Sequence, residues 1–185
     1  MTCWSCHEKV GGMLCVSCGL LQPPPVSPDA FAVFGIKPWY HLDLSVLEDQ
    51  YRKLARQLHP DRFTGKSATE RRFSLQWTAH LNEARRILKD PVRRARLLAT
   101  GSPDPKETGG PKLDPAFLQE MFDWREEEEE TPGALRERAT ARAAALEAEL
   151  EAIFTAWEEG RGGLEWVDDR LARLKYIKGL LPARL

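Results

Sequence analysis

The chain has 185 residues, of which 27 are Lys or Arg and 28 are Asp or Glu, for a formal net charge of -1, and 30% of its residues are charged. That length holds one medium domain or two small ones, and no apolar run approaches the ~20 residues needed to cross a bilayer, which excludes a helical membrane-spanning protein. The opening MTCWSC has neither a basic stretch followed by an apolar one nor an Arg/Ser-rich amphipathic leader, so no export signal or transit peptide is expected. The near-zero net charge hides an asymmetry: residues 43–98 carry 13 Lys/Arg and 7 Asp/Glu (+6), whereas residues 114–160 carry 4 and 14 (-10). The two halves are therefore expected to meet different partners. The basic part reads as a dock for nucleic acid or for an acidic protein surface, and the acidic part argues against a chain that lies along nucleic acid throughout.

All four cysteines fall in the first eighteen residues, as Cys3, Cys6, Cys15 and Cys18, in a C-x2-C, eight-residue spacer, C-x2-C pattern. Each pair can bracket a tight turn and present two thiolates to one ion, and Gly11, Gly12 and Gly19 allow the chain to reverse between them, so the pattern predicts a tetrahedral four-thiolate metal site. Zinc is the expected metal, with iron left open; a redox pair or two disulfides are weaker readings, because no βαβ pattern surrounds the motif and nothing signals an oxidising compartment. His7 is expected to be a bystander. So short a module has almost no core, and the metal is expected to hold its fold.

Gln22-Pro23-Pro24-Pro25-Val26-Ser27-Pro28 must be extended, since consecutive prolines bar helix, and Gly101 to Pro111 (GSPDPKETGGP) reads as a loop. The expected organisation is a knuckle at 1–22, a linker at 23–28, a central domain at 29–100, a loop at 101–111 and a C-terminal domain at 112–185. No internal repeat is apparent.

The central part reads as two amphipathic helices. From the N-cap candidate Asp43, Leu44, Leu47, Tyr51, Leu54, Ala55 and Leu58 recur at helical spacing, with Arg52, Lys53 and Arg56 together on the adjoining polar face. From about Thr69 to Lys89, Phe73, Trp77, Leu81, Ala84 and Leu88 form a second stripe, and Asp90-Pro91 marks a break. Two such helices with a short connection lie antiparallel, with the Phe31–Trp39 stretch as a short capping element. Between them runs His59-Pro60-Asp61-Arg62-Phe63. A residue before proline is pushed away from helical φ/ψ, so His59-Pro60 ends the first helix and leaves His59 and Asp61 on an exposed, rigid tip.

The C-terminal part predicts three helices, roughly 114–131, 133–160 and 163–181, separated by Thr131-Pro132-Gly133 and Gly160-Arg161-Gly162-Gly163. In the first of them Phe117, Met121 and Trp124 fall at i, i+4, i+7 and suit a bundle core, while Leu118 and Phe122 lie on a second face that continues to Glu126. An exposed Leu/Phe patch beside carboxylates suits binding. The Glu126–Glu130 run reads as a solvated flank, since adjacent carboxylates spread around a helix.

Taken together, these residues resemble the J-domain co-chaperones, and among them the HscB type that serves iron–sulfur cluster assembly. Tyr51, Arg52, Leu54, His59 to Phe63, Leu81-Asn82, Leu88 to Pro91 and Arg94-Ala95 carry the J-domain likeness, and Asp114 to Leu118, Glu120 and Arg125 to Glu127 carry the HscB one. An N-terminal tetracysteine knuckle also occurs in some members. The fold implied is all-α: a J-domain antiparallel helical hairpin plus a C-terminal three-helix bundle, with a small N-terminal tetracysteine metal knuckle.

The resemblance implies a non-enzymatic adaptor with two partners. One is a DnaK-type chaperone, whose ATP hydrolysis the motif at His59, Pro60 and Asp61 stimulates, with Arg52, Lys53, Arg56 and Arg62 as a positive docking surface. The other is an IscU-type iron–sulfur scaffold, gripped through Leu118, Phe122, Asp123 and Glu126, with Tyr176 nearby. Gln119, Phe122 and Ala84-Arg85 depart from the family's usual residues. The cofactor expected is structural zinc on Cys3, Cys6, Cys15 and Cys18, which stabilises without activating, so that chelation leaves ATPase stimulation intact. No nucleic-acid or membrane partner is expected, and a weak homodimer is left open. A zinc-bearing nucleic-acid or general protein-interaction module is the alternative; the knuckle offers only Lys9, balanced by Glu8, which disfavours nucleic acid. Composition and the lack of a visible leader lean towards a bacterial cytoplasm, with the mitochondrial matrix second.

Overall fold

The computed structural model of the chain describes residues 2–105 and 112–181. The described residues form seven α-helices and one 3-10 turn: α1 (Ala30–Phe34), α2 (Leu44–Leu58), the 3-10 turn (Pro60–Phe63), α3 (Ala68–Lys89), α4 (Pro91–Thr100), α5 (Pro115–Glu130), α6 (Ala134–Glu158) and α7 (Val167–Leu180). None of these helices is long and apolar enough to cross a membrane. The fold is all-helical, as expected, with two isolated antiparallel bridges, Thr2 to Lys9 and Leu14 to Leu21, in the cysteine segment. The described residues fall into two compact units, one within Met1–Pro38 and Leu42–Asp90, the other within Trp39–His41 and Pro91–Leu185.

In the first unit α1 and α2 both pack against α3. The Asp43 carboxylate accepts from the Ser45 and Val46 amides at 2.8 and 3.3 Å and starts α2. Ser67 and Glu70 form a capping box that starts α3. The stripe on α3 is buried as its spacing predicts, from Phe73 through Leu88. The stripe on α2 is not: only Leu47 and Leu58 are buried, and Leu44 is exposed. Helix α2 packs mainly on α3 and only lightly on α1, so it needs to bury only a narrow strip. Helix α1 is confined to Ala30–Phe34, closed by Gly35 at φ 63°, so the expected capping element is shorter than Phe31–Trp39.

In the second unit α6 packs against α5 and α7, and α4 packs against α7. Phe117, Met121 and Trp124 of α5 join Ala139, Ala143, Leu146, Leu150 and Phe154 of α6 and Val167, Leu171, Leu174 and Ile177 of α7 in one core, which Ala95 of α4 completes. Asp90-Pro91 does break α3, but it also opens α4, because proline is tolerated at the first helical position, where its missing N–H has no partner to lose. Trp39 leaves α1: its ring meets Trp157 edge-on at 6.1 Å, and Tyr40 stacks on Phe154 at 3.9 Å. Gly133, at φ 98°, supports the reversal from α5 into α6, a conformation that costs glycine little.

Candidate functional sites

The cysteine segment is a backbone repeat that the side chains conceal. Cys15 and Cys18 repeat Cys3 and Cys6 with the same hydrogen bonds: Cys3 N to Glu8 O (2.8 Å) and His7 N to Cys3 O (3.2 Å) match Cys15 N to Leu20 O (3.0 Å) and Gly19 N to Cys15 O (2.8 Å). The residue after each pair is left-handed, Gly19 at φ 72° and His7 at φ 63°. Gly11 and Gly12 do not take that conformation, so the reversals fall at Gly19 and His7 instead.

The four cysteines are free thiols. Their sulfurs all lie within 4.8 Å of one another, with Cys3 to Cys18 at 3.7 Å and Cys6 to Cys15 at 3.6 Å. A tetrahedral site with metal–sulfur bonds of about 2.3 Å has sulfur–sulfur edges of about 3.8 Å. Burial opposes ionisation of Cys3, but the Cys6 and Ser5 amides outweigh it and hold the thiol down to about 6. The Glu8 backbone draws Cys6 down, yet desolvation and the adjoining sulfurs push it up to about 12. Such a split is what crowded sulfurs do without a cation, and a divalent ion removes the conflict. The donor set therefore fits a soft divalent metal, held by Cys3, Cys6, Cys15 and Cys18. Such an ion would crosslink the two knuckles and supply no reaction chemistry.

The second candidate is the turn after α2. His59 caps α2 at ψ 129°, and Pro60 opens the 3-10 turn that carries Asp61, Arg62 and the buried Phe63. His59 Nδ1 accepts the Asp61 amide at 3.3 Å, so a neutral ring carries its proton on Nε2. The 3.5 Å approach of Nδ1 to the Asp61 carboxylate is then a contact beside that hydrogen bond and not an ion pair. His59 and Asp61 are exposed at 58% and 85% of their side-chain surface, which leaves a donor and an acceptor free for a partner. The turn is held from α3, where Ser74 and Thr78 hydroxyls donate to Leu58 O at 2.6 and 3.3 Å. Arg52, Lys53, Arg56 and Arg62 are all exposed, Arg52 pairing with Asp49 at 3.1 Å and Arg62 donating to Arg56 O at 3.4 Å.

On α5 the structure separates residues that share a short stretch of sequence. Phe122 is 57% exposed, while Leu118 is half-buried against the bundle core. Together with Glu126 they follow one strip at i, i+4, i+8. Asp123 lies off that strip and is bonded to Gln119 at 2.9 Å. Tyr176 packs edge-on against Phe117 at 5.8 Å and lines a cavity of about 450 Å³ with Arg125 and Lys175. Within the Glu126–Glu130 run, Glu127 pairs with Arg138, and Glu128 accepts the Gly133 and Leu135 amides at 2.9 and 2.8 Å, so Glu128 caps α6 rather than lying free on a solvated flank.

Sequence reasoning passed over two further residues. Gln22, at the end of the knuckle segment and the start of an extended stretch, is buried between the knuckles and α3, and no spacing rule marks it. His41 sits between Glu158 (2.5 Å) and Glu151 (2.6 Å), and its partners lie more than a hundred positions away along the chain.

Comparison with known proteins places the chain in a family. A family model described as the DnaJ domain matches residues 29–97, and one described as the HSCB C-terminal oligomerisation domain matches residues 113–182. The Co-chaperone protein HscB homolog of Cupriavidus taiwanensis is 42% identical over 123 residues, covering 66% of this chain and 68% of that protein. The chain belongs to the HscB co-chaperone family. The HscB homolog of Vibrio vulnificus is 34% identical over 158 residues, 81% of this chain and 91% of its own length. The crystal structure of human co-chaperone protein HscB shares the fold with a TM-score of 0.71 at 24% identity, covering 97% of this chain and 94% of that one. HscB from Vibrio cholerae matches with a TM-score of 0.59 at 30% identity, over 83% and 93%. This HscB family member thus carries a J-domain, whose partner is a chaperone, and a four-cysteine cluster that can bind a metal ion.

Proposed function

We propose that this protein stimulates ATP hydrolysis by a DnaK-type chaperone and delivers to it an IscU-type scaffold, promoting iron–sulfur cluster assembly and transfer in a bacterial cytoplasm. The protein itself hydrolyses nothing. The domain boundaries are those of the sequence reading, with the J-domain at 29–100 and the scaffold-binding domain at 112–185. The observation that carries the reading is the turn at His59, Pro60 and Asp61, rigid in backbone and exposed in side chain, in a chain of the HscB family. There Asp61 accepts from a cationic group on the chaperone, and Arg52, Lys53, Arg56 and Arg62 meet an acidic surface, which speeds encounter and fixes register more than it adds affinity.

The scaffold docks on α5 through Leu118 and Phe122, with Glu126 beside them and Asp123 and Tyr176 at the margins. The exposed Phe122, beside the half-buried Leu118 and rimmed by carboxylates, supports that role. Zinc occupies the four-thiolate site as a structural ion.

The test is the single-turnover ATPase rate of a DnaK-type chaperone with this protein, with an IscU-type scaffold, and with both. The two together accelerate hydrolysis, and His59→Gln abolishes the acceleration while scaffold binding is retained. An unchanged rate with the wild-type protein would sink the reading.

A further inference from the structure

Gln22 is 5% exposed, and its polar groups are all used. The side-chain Nε2 donates to Cys3 Sγ at 3.4 Å and to Leu20 O at 2.8 Å, and Oε1 accepts the Trp4 amide at 3.3 Å. Its main-chain N donates to Met13 O at 2.8 Å, and its carbonyl accepts the Trp77 indole N–H at 2.7 Å. One residue therefore touches both knuckles, the loop between them and α3.

A second tie runs alongside. Trp4, between Cys3 and Cys6, donates its indole N–H to Leu21 O at 2.8 Å and packs edge-on against Phe73 of α3 at 6.1 Å. The adjoining strip of α3 holds the Leu58 carbonyl, through Ser74 and Thr78, each next in sequence to a residue that receives these contacts.

We propose that Gln22 is an outer-sphere residue of the metal site and the link through which metal occupancy stabilises the J-domain hairpin, so that metal binding and hairpin folding form one cooperative unit. This rests on the four cysteines holding zinc. A donor to a metal-bound thiolate orients the ligand and offsets its charge, and outer-sphere changes of this kind typically cost 10–100-fold in metal affinity. With Cys3 anchored, the Gln22 carbonyl is fixed where the Trp77 indole finds it. When the metal leaves, the two knuckles lose their crosslink, and Gln22 becomes a buried amide on an unpinned loop, a poor acceptor for a buried indole N–H. Linkage then requires the coupling to read the same from both directions: whatever factor the folded hairpin adds to zinc affinity, zinc adds to hairpin stability.

The experiment uses the full chain in wild-type, Gln22→Leu and Trp77→Phe forms. Zinc affinity is measured by competition with a chromophoric chelator, and hairpin opening by hydrogen exchange of the α3 amides with zinc bound and after chelation. In the wild type, chelation raises α3 exchange by about tenfold or more. Gln22→Leu weakens zinc about tenfold and removes most of the metal-dependent protection; Trp77→Phe, which deletes the N–H of the link together with part of a buried ring, keeps four-thiolate binding but lowers the metal-dependent difference seen in both measurements. Wild-type α3 exchange that ignores zinc overturns the proposal, as does Gln22→Leu with wild-type affinity and coupling. Failure of the wild type to bind one zinc with loss of all four free thiols overturns the metal reading beneath it.

Discussion

At the scale of single residues, the same backbone requirement is met well at one place and poorly at its repeat. Gly19 and His7 occupy equivalent left-handed positions after the two cysteine pairs, and only glycine takes that conformation without a clash at Cβ. His7→Gly should stabilise the metal-loaded protein by about 1 kcal/mol in chemical denaturation, whereas Gly19→Ala should destabilise it by about the same amount.

His41 makes a prediction in pH. The Glu158 carboxylate, with Glu151 on the other ring nitrogen, holds its pKa above the ordinary 6.5. A raised folded value means that stability is fully present below about pH 6.5 and is lost as pH rises through the raised value. Glu158 runs the other way. Burial opposes its charge, but His41 and the Tyr40 and His41 amides win and lower its pKa, so its contribution is present above the ordinary 4.5 and is lost as pH falls through the lowered value. Thermal melts against pH should therefore show a contribution from this clasp that is largest between about pH 4.5 and 6.5, and His41→Gln should flatten the alkaline side.

At the scale of elements, helix starts explain why most of the fold was legible and why some was not. Asp43, Ser67 and Asp114 are short polar residues placed before periodic apolar runs, and each caps its helix as such residues do. The start of α3 is the most exposed to change, because Glu70 is buried and its carboxylate bonds both the Ser67 hydroxyl and the Ser67 amide. Ser67→Ala should cost about 1–2 kcal/mol in urea unfolding, since it removes the cap and leaves a buried carboxylate short of a donor; a cost within error of zero would show the box to be idle. Helix α6 begins where the Thr131-Pro132-Gly133 break predicts, although its cap comes from Glu128 on the preceding helix and not from a residue at its own N-terminus. Helix α4 was missed because Asp90-Pro91 is at once the stop of one helix and the start of the next, and the sequence marks only the interruption.

At the scale of the whole molecule, the charge asymmetry separates the two proposed contacts by their response to salt. The Debye length falls from about 10 Å at 0.1 M to about 3 Å at 1 M. The association rate with the chaperone, guided by the basic flank of His59, should drop steeply over that range, while dissociation of a scaffold held by Leu118 and Phe122 should change little, as stopped-flow binding with each partner would show.

What the sequence determined by itself was whatever depends on local spacing. The C-x2-C pairs, the proline after His59 and the 3.6-residue periodicity of α3 and α5 each act over a few positions, so four clustered thiols, an exposed turn and the buried faces of those helices could be read directly. The tertiary structure decided what depends on residues that are distant in sequence. Gln22 became the bridge between Cys3 and Trp77, Trp39 to His41 joined the second unit through Phe154 and Glu158, and Leu44 stayed exposed because only part of its helix meets a neighbour. A buried amide or an imidazole between two carboxylates has no periodic signal, since its partners are chosen by packing and not by position in the chain.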